Sequence, residues 1–341
     1  MVFTTPALRA IRRHLPDAHL TYLVEPPAAP IVAANRSVDE LIVAPRRHLL
    51  ADVALGWRLR ASRFDLAIDF HGGPRASLLT WLSGAKVRVG YAVPARAWMY
   101  TTRVDRPRVW RPRHAVENQW DLLEAIGIPG EARRFPVEMP VDPAALGSTG
   151  DRLRAAGVGA ADRLVVMHVS AGNPFRRWPQ GAFARVAAAV VTSHRDVTVI
   201  ATSGPSEDEA AARVIELARQ QTPPEARPRL LTMGDLSLAE LRALFDRAAL
   251  FVGGDSGPLH VAATSAVPIV AIYGPTLPVR SAPWRDPAMV TEAVEPGALE
   301  CRPCDQRVCV PGDFRCLTGI SPEAVIAAAE RALAASRACT A

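Results

Sequence analysis

Residues 251–280 read FVGGDSGPLHVAATSAVPIVAIYGPTLPVR. The apolar residues up to Val252 predict a buried strand that runs into Gly253-Gly254. Asp255-Ser256-Gly257 follows, and then a helix that carries His260. Glycines at such a junction let a ligand approach the backbone closely. A helix start presents free N–H groups and partial positive charge, which suits phosphate. Asp255 is placed to hydrogen-bond a sugar hydroxyl or to help hold a metal. A plainer account treats Gly-Asp-Ser-Gly as a tight turn with Ser256 as the helix cap. Strand, glycine turn and helix in this order point to an α/β chain.

Two segments upstream repeat the pattern. HVSAGNPFRRWP (168–179) places Ser170, Ala171 and Gly172 at a strand end, followed by Arg176, Arg177 and Trp178. This composition suits a second anion cradle with an arginine on the phosphates. A solvated basic loop with Trp178 in the core is the alternative. In SGPSEDE (203–209), Glu207 could accept hydrogen bonds from a ribose. The acidic residues 207–209 also suit the first turn of a helix.

Around these segments, short apolar runs alternate with helical patterns along the chain. HLTYLVEP, DELIVAP, FDLAIDFHGG and KVRVGYA read as strands before residue 110. LVVMHVS, VTVIATSG, LLTMG, ALFVGGD and PIVAIYG read as buried strands after 160. Such alternation implies βαβ units and parallel sheets. The stretch 128–150 carries Pro and Gly without clear periodicity, so the domain boundary is expected near residue 150. Two doubly wound domains, 1–150 and 151–341, would face a central cleft and bind ligands at their strand C-termini.

Composition narrows the class. At 341 residues, 49% hydrophobic and 22% charged, the chain is an ordinary globular protein rather than a disordered one. No apolar run reaches the roughly 18 residues of a membrane span. The N-terminus lacks the pattern of a secretory signal, and a cytoplasmic protein is expected. The net charge of +6 is modest and fits anionic substrates or a membrane surface as well as nucleic acid. No nucleic-acid recognition motif is visible, so that class is the weakest. Lys86 is the only lysine, which excludes a P-loop.

These motifs as a set resemble glycosyltransferase family 9, the ADP-heptose:lipopolysaccharide heptosyltransferases. That family reads GDxxxTTPALRALR, HPGA…KxWP, GGPxE and DTGxxHLAAAxxxPxxxLFGPTxP. The counterparts here are TTPALRAIR at Thr4 to Arg12, HVSAG with RRWP, SGPSE, and DSGPLHVAATSAVPIVAIYGPTLP. CRPCDQRVC matches a late cysteine cluster found in family members. The resemblance covers nearly the whole chain, in order. It implies a GT-B fold of two Rossmann-like domains and inverting transfer of heptose from ADP-heptose to the lipopolysaccharide inner core. The C-terminal domain would bind the donor through Ser170, Ala171, Gly172, Arg176, Glu207, Asp255, Ser256, Gly257 and His260. Arg176 stands where the family has a lysine, so phosphate would meet a planar fork rather than a point charge.

The N-terminal domain would bind the acceptor. Asp69, His71 and Arg75 fall at a predicted strand end facing the cleft, and Arg75, Arg88 and Arg113 could meet the acceptor's phosphates or sugar acids, or form an ordinary solvated surface. The family opens with a strand and a Gly-Asp pair whose Asp is the usual candidate base. Here Met1 falls just after that position. The expectation is a natural start upstream of Met1. The alternative is a short form with another base, for which His71 is the positional substitute. Loss of that first strand would expose the edges of its neighbours.

Cys301, Cys304, Cys309 and Cys316 have the spacing C-x2-C-x4-C-x6-C. Four thiolates so spaced could hold a structural zinc, while free thiols or a redox-labile pair are the alternatives. Cys339 is read as incidental. No cofactor is expected to be required. Two further functions stay open: a family 9 transferase with another nucleotide sugar or acceptor, and a non-catalytic nucleotide-sugar-binding form. The expected partners are ADP-heptose, the lipopolysaccharide core and the inner-membrane surface.

Overall fold

The computed structural model describes residues 1–46, 48–105, 113–130, 135–204, 207–304 and 306–338. Cys339 and residues 205–206 of the SGPSE segment lie outside the described residues. The chain divides into two compact units, Met1–Pro140 and Val141–Ala341. The division falls before residue 150 because Pro143–Ala155 is a helix of the second unit. Asp142 caps it by accepting from the Ala144 N–H, and Pro143 opens it. Ser148 Oγ then donates to Glu240 Oε1 at 2.6 Å, which ties the helix to the second unit.

The second unit carries one parallel sheet. Its strands are β6 (Arg163–His168), β7 (Val197–Thr202), β8 (Leu230–Thr232), β9 (Ala248–Gly254), β10 (Ile269–Ile272) and β11 (Thr291–Val294). The order across the sheet is β11-β10-β9-β6-β7-β8. Counted within the unit, this is the doubly wound order 3-2-1-4-5-6 read backwards. Chain direction therefore reverses its march between β6 and β9, where two neighbouring strands send their connections to opposite sides. Every residue of β7 and all but the first of β6 is buried, as in a sheet covered by helices on both faces. Val165, Met167 and Val169 pack with Phe183, Val186 and Val190 of helix Gln180–Ser193 and with Val325 and Ala329 of the closing helix. That closing helix, Pro322–Ala338, starts at Ser321, whose hydroxyl accepts from the Ala324 N–H.

The first unit is built differently. β1 (Thr21–Val24) pairs in parallel with β2 (Glu40–Val43). β3 (Leu66–Ile68) pairs with β4 (Val87–Tyr91), which pairs with β5 (Thr102–Val104). Among the described residues the two sheets share no ladder, so β1 and β3 each keep a side without strand partners. The cores are correspondingly small. One joins Ile42 and Ala44 to Leu55, Leu59 and Leu79, and another joins Val89 and Tyr91 to Leu122.

Among the described residues, no helix is long and apolar enough to cross a membrane.

Candidate functional site

The reversal between β6 and β9 brings the ends of these strands side by side, His168 opposite Gly253. The segments that follow them, 169–178 and 255–260, therefore meet at the topological switch point, where open α/β sheets bind ligands. Their approach depends on Gly254. A Cβ there would lie 3.1 Å from the backbone oxygen of Arg176, so a larger residue would push the arginine loop away.

Asp255 is buried at the centre. Its Oδ2 accepts from Ser281 Oγ at 3.1 Å and lies 3.3 Å from Arg176 Nη1. Its Oδ1 lies 3.4 Å from His260 Nε2. Burial works against ionisation of this carboxyl, but His260, Arg176 and Thr276 outweigh it and hold its pKa below the usual carboxylate value. Ser256 starts the helix Gly257–Ala262 without capping it by its side chain. Its buried Oγ has no hydrogen-bond partner among the described residues. Nothing lies within 4 Å of a Cβ built on Gly257 or Gly172. A buried hydroxyl without a partner has hydrogen-bonding capacity to spare, and the two glycines leave room at the backbone nearby in sequence. The helix is only six residues long and has Pro258 in its first turn. Its dipole is therefore a minor source of anion affinity, and Arg176 supplies the formal charge.

Arg176 is held from three sides. Its Nε donates to Gln306 Oε1 at 2.6 Å, and its Nη1 donates to the Asp255 carbonyl at 3.2 Å. Gln306 Oε1 also accepts from Asn173 Nδ2 at 3.1 Å. Gln306 escapes sequence reading because the cysteines around it draw attention to the wrong side chains. Thr276, the last residue of the GPT stretch, and Ser281, five residues on, also escape it.

A second group lies at the ends of β6 and β7. Ser170 Oγ accepts from the Gly204 N–H at 2.7 Å and sits 3.3 Å from His168 Nε2. His168 Nδ1 pairs with Thr202 Oγ1 at 3.1 Å. Burial pushes the His168 pKa down to about 4, so the ring is neutral at pH 7. Arg177 forms an ion pair with Glu207 and donates from Nε to the Ala171 carbonyl at 2.8 Å. Val169, Ser170, Arg177 and Glu207 line a groove of about 820 Å³. Trp178 is core: it packs edge-on against Phe183 and donates Nε1 to the Ile320 carbonyl. The structure thus gathers all the expected donor-site residues at one edge of one sheet.

The expected acceptor residues are engaged within their own unit. Asp69 is buried; its Oδ1 accepts from the N–H groups of His71 and Gly72, and its Oδ2 accepts from Tyr100 Oη at 2.6 Å. It staples the turn in which Gly72 has φ +69°. Arg75 donates to Asp52, Glu25 and the Pro45 carbonyl. Arg88 donates to the carbonyls of Met99 and Ala85, and Arg113 to Asp121 and the Glu117 carbonyl. His71 is exposed, and its Nδ1 accepts from the Gly73 N–H at 3.1 Å.

The four cysteines 301, 304, 309 and 316 are free and partly buried. Among the described residues, no group of three or more His, Cys, Asp or Glu is placed to hold a metal ion. Burial raises the Cys316 pKa, and the other three thiols add to the rise.

Comparison with known proteins meets the same features. The family model for glycosyltransferase family 9 (heptosyltransferase) matches residues 53–312. The lipopolysaccharide heptosyltransferase 3 of Escherichia coli K12 is 28% identical over 295 residues, covering 84% of this chain and 82% of that protein. The crystal structure of a family 9 glycosyl transferase from Veillonella parvula superposes with a TM-score of 0.82 at 24% identity, covering 98% of this chain and 93% of that one. The E. coli ADP-heptose LPS heptosyltransferase II does so with a TM-score of 0.78 at 19% identity, covering 99% and 96%. The chain belongs to glycosyltransferase family 9: it is a glycosyltransferase with the GT-B fold of two Rossmann-like units.

Proposed function

We propose that this enzyme transfers a heptose from ADP-heptose to the lipopolysaccharide core, with inversion at the sugar carbon. The carrying observation is the Arg176–Asp255–His260 cluster at the switch point, with the buried and unpartnered Ser256 hydroxyl next to Asp255 in the chain. In this scheme the second unit holds the donor and the first unit the acceptor. Arg176 neutralises the diphosphate as the bond from the sugar carbon to phosphate oxygen breaks. Ser256 donates to a phosphate oxygen, and Gly257 and Gly172 let the diphosphate lie against the backbone. Asp255 orients Arg176 and His260. The nucleoside occupies the groove beside Ser170, Ala171 and Glu207. A guanidinium that carries the leaving group's charge leaves the reaction with no need of a resident metal. The relatives named as lipopolysaccharide heptosyltransferases support the same substrates.

The test is calorimetric titration with ADP, ADP-heptose and UDP-glucose, followed by mass spectrometry of heptose-deficient lipopolysaccharide after incubation. The expected result is binding of the adenine nucleotides and a mass gain of one heptose. Binding of the uridine donor alone would move the assignment to another sugar. Tight binding of ADP-heptose with no mass gain would make the chain a nucleotide-sugar-binding form.

A further inference from the structure

Helix Leu49–Ala61, between β2 and β3, is apolar on both sides. Its inner side is accounted for. Leu55 and Leu59 are buried with Ile42 and Leu79, and Gly56 lies against Leu82. The other side carries Leu49, Leu50, Val53 and Trp57, which are 75%, 71%, 45% and 69% exposed. At 3.6 residues per turn these four share one stripe, turned away from Leu55 and Leu59. A helix apolar all round is ordinarily enclosed, and single exposed leucines are common where a run of them is not. This stripe is therefore a face awaiting a partner.

The charge around the stripe identifies that partner. Arg46 stands before the helix, and Arg58, Arg60 and Arg63 lie at and beyond its far end, all exposed. The helix has one acid, Asp52, which is turned away and bonded to Arg75. Arg58 meets Glu40 of β2 at 3.0 Å; Arg46, Arg60 and Arg63 stay as a basic rim. A second copy would set this rim against its like, in a chain already at +6. An anionic phospholipid surface answers both parts. Leucine, valine and tryptophan enter the headgroup boundary while arginines meet lipid phosphates. Tryptophan favours that boundary.

We propose that helix Leu49–Ala61 docks this enzyme flat onto an anionic membrane surface. This inference rests on the acceptor being lipid-linked, as in the transfer proposed above. The Asp52–Arg75 bond ties this helix to helix Pro74–Leu82.

The experiment is flotation of the full chain with phosphatidylglycerol/phosphatidylethanolamine vesicles and with phosphatidylcholine vesicles. The wild type is expected to bind the anionic vesicles about tenfold or more tightly, with binding weakened by salt. The double variant Leu50→Asp/Trp57→Asp is expected to lose about tenfold or more of that binding. Its melting temperature and its affinity for ADP should match the wild type, since both residues lie outside core and donor site. Failure of the wild type to float, or equal binding by the double variant, overturns the proposal. So does a wild-type dimer in sedimentation equilibrium that the double variant turns into a monomer, which would give the face to a second copy. Donor affinity and transfer to detergent-dispersed acceptor are read without vesicles, so failure of docking and failure of the transferase assignment are told apart.

Discussion

The candidate site residues of the two units are engaged in different ways. In the first, Asp69, Arg75, Arg88 and Arg113 spend their hydrogen bonds on nearby backbone and side chains, and the His71 acceptor nitrogen is taken by Gly73. In the second, Asp255 gathers Arg176 and His260, and the Ser256 hydroxyl beside it is buried with nothing to bond among the described residues. A saturated polar group holds a turn or a strap in place. An unsaturated buried one costs stability until a ligand meets it, and so marks a site. Sheet architecture underlies the contrast. Six strands in one parallel sheet give the second unit a switch point. Among the described residues, the first unit has two separate smaller sheets and no such reversal within one sheet.

The largest test of this contrast is Asp255→Ala. Removing one partner of a buried pair costs about 3–5 kcal/mol. The expected outcome is a fall in transfer of about 100-fold or more and a lower melting temperature, measured by coupled ADP release and calorimetry.

Next in size is the pH response of His168. Its folded pKa of about 4 lies below the unfolded value of 6.5. Between these values the unfolded chain binds the extra proton, so stability rises with pH there. It is complete above about 6.5 and is lost as pH falls toward 4. The amount is about 3 kcal/mol at 1.36 kcal/mol per unit. Urea unfolding of wild type and His168→Gln across this range should show the slope in the wild type and not in the variant. Equal slopes would mean that the ring is not the neutral brace between Thr202 and Ser170.

A smaller effect is expected of Gln306→Ala, which frees Arg176 Nε and Asn173. Hydrogen bonds to charged groups are worth about 1.5–3 kcal/mol. The donor KM should rise about tenfold, with kcat and the melting temperature changing little. A fall in kcat alone would show that Gln306 acts elsewhere than on the phosphate-binding arginine.

The smallest effect is reserved for His71→Gln. A general base contributes about 10²–10⁴-fold, and a change within about twofold is expected here. A loss in the former range would break the comparison, because a residue of the first unit would then be chemical rather than structural.

Much of the second unit is legible from local signals. Strands β6, β7, β9 and β10 are largely apolar runs followed within two residues by Gly, Ser or Asp, and such runs are what a doubly covered sheet demands. β5 and β11 escape, because TRV and TEAV mix polar with apolar residues at sheet edges. Helix Pro143–Ala155 escapes because Ala, Gly, Ser and Thr carry too little hydropathy contrast to reveal a period. Only its Asp-Pro start announces it.

Sequence alone determined the family motifs, the parallel α/β class and the segments that meet at the switch point, since each is written in consecutive residues and backbone needs. Tertiary structure decided what no window of sequence contains. It set Gln306 and Asn173 against Arg176 and Ser281 against Asp255, and it tied Arg75 to Asp52. It also turned the apolar stripe of helix Leu49–Ala61 outward. The physical reason is that a polar side chain becomes a brace or a ligand-binding group according to whether folding brings it a partner, and partners distant in sequence are chosen only by packing.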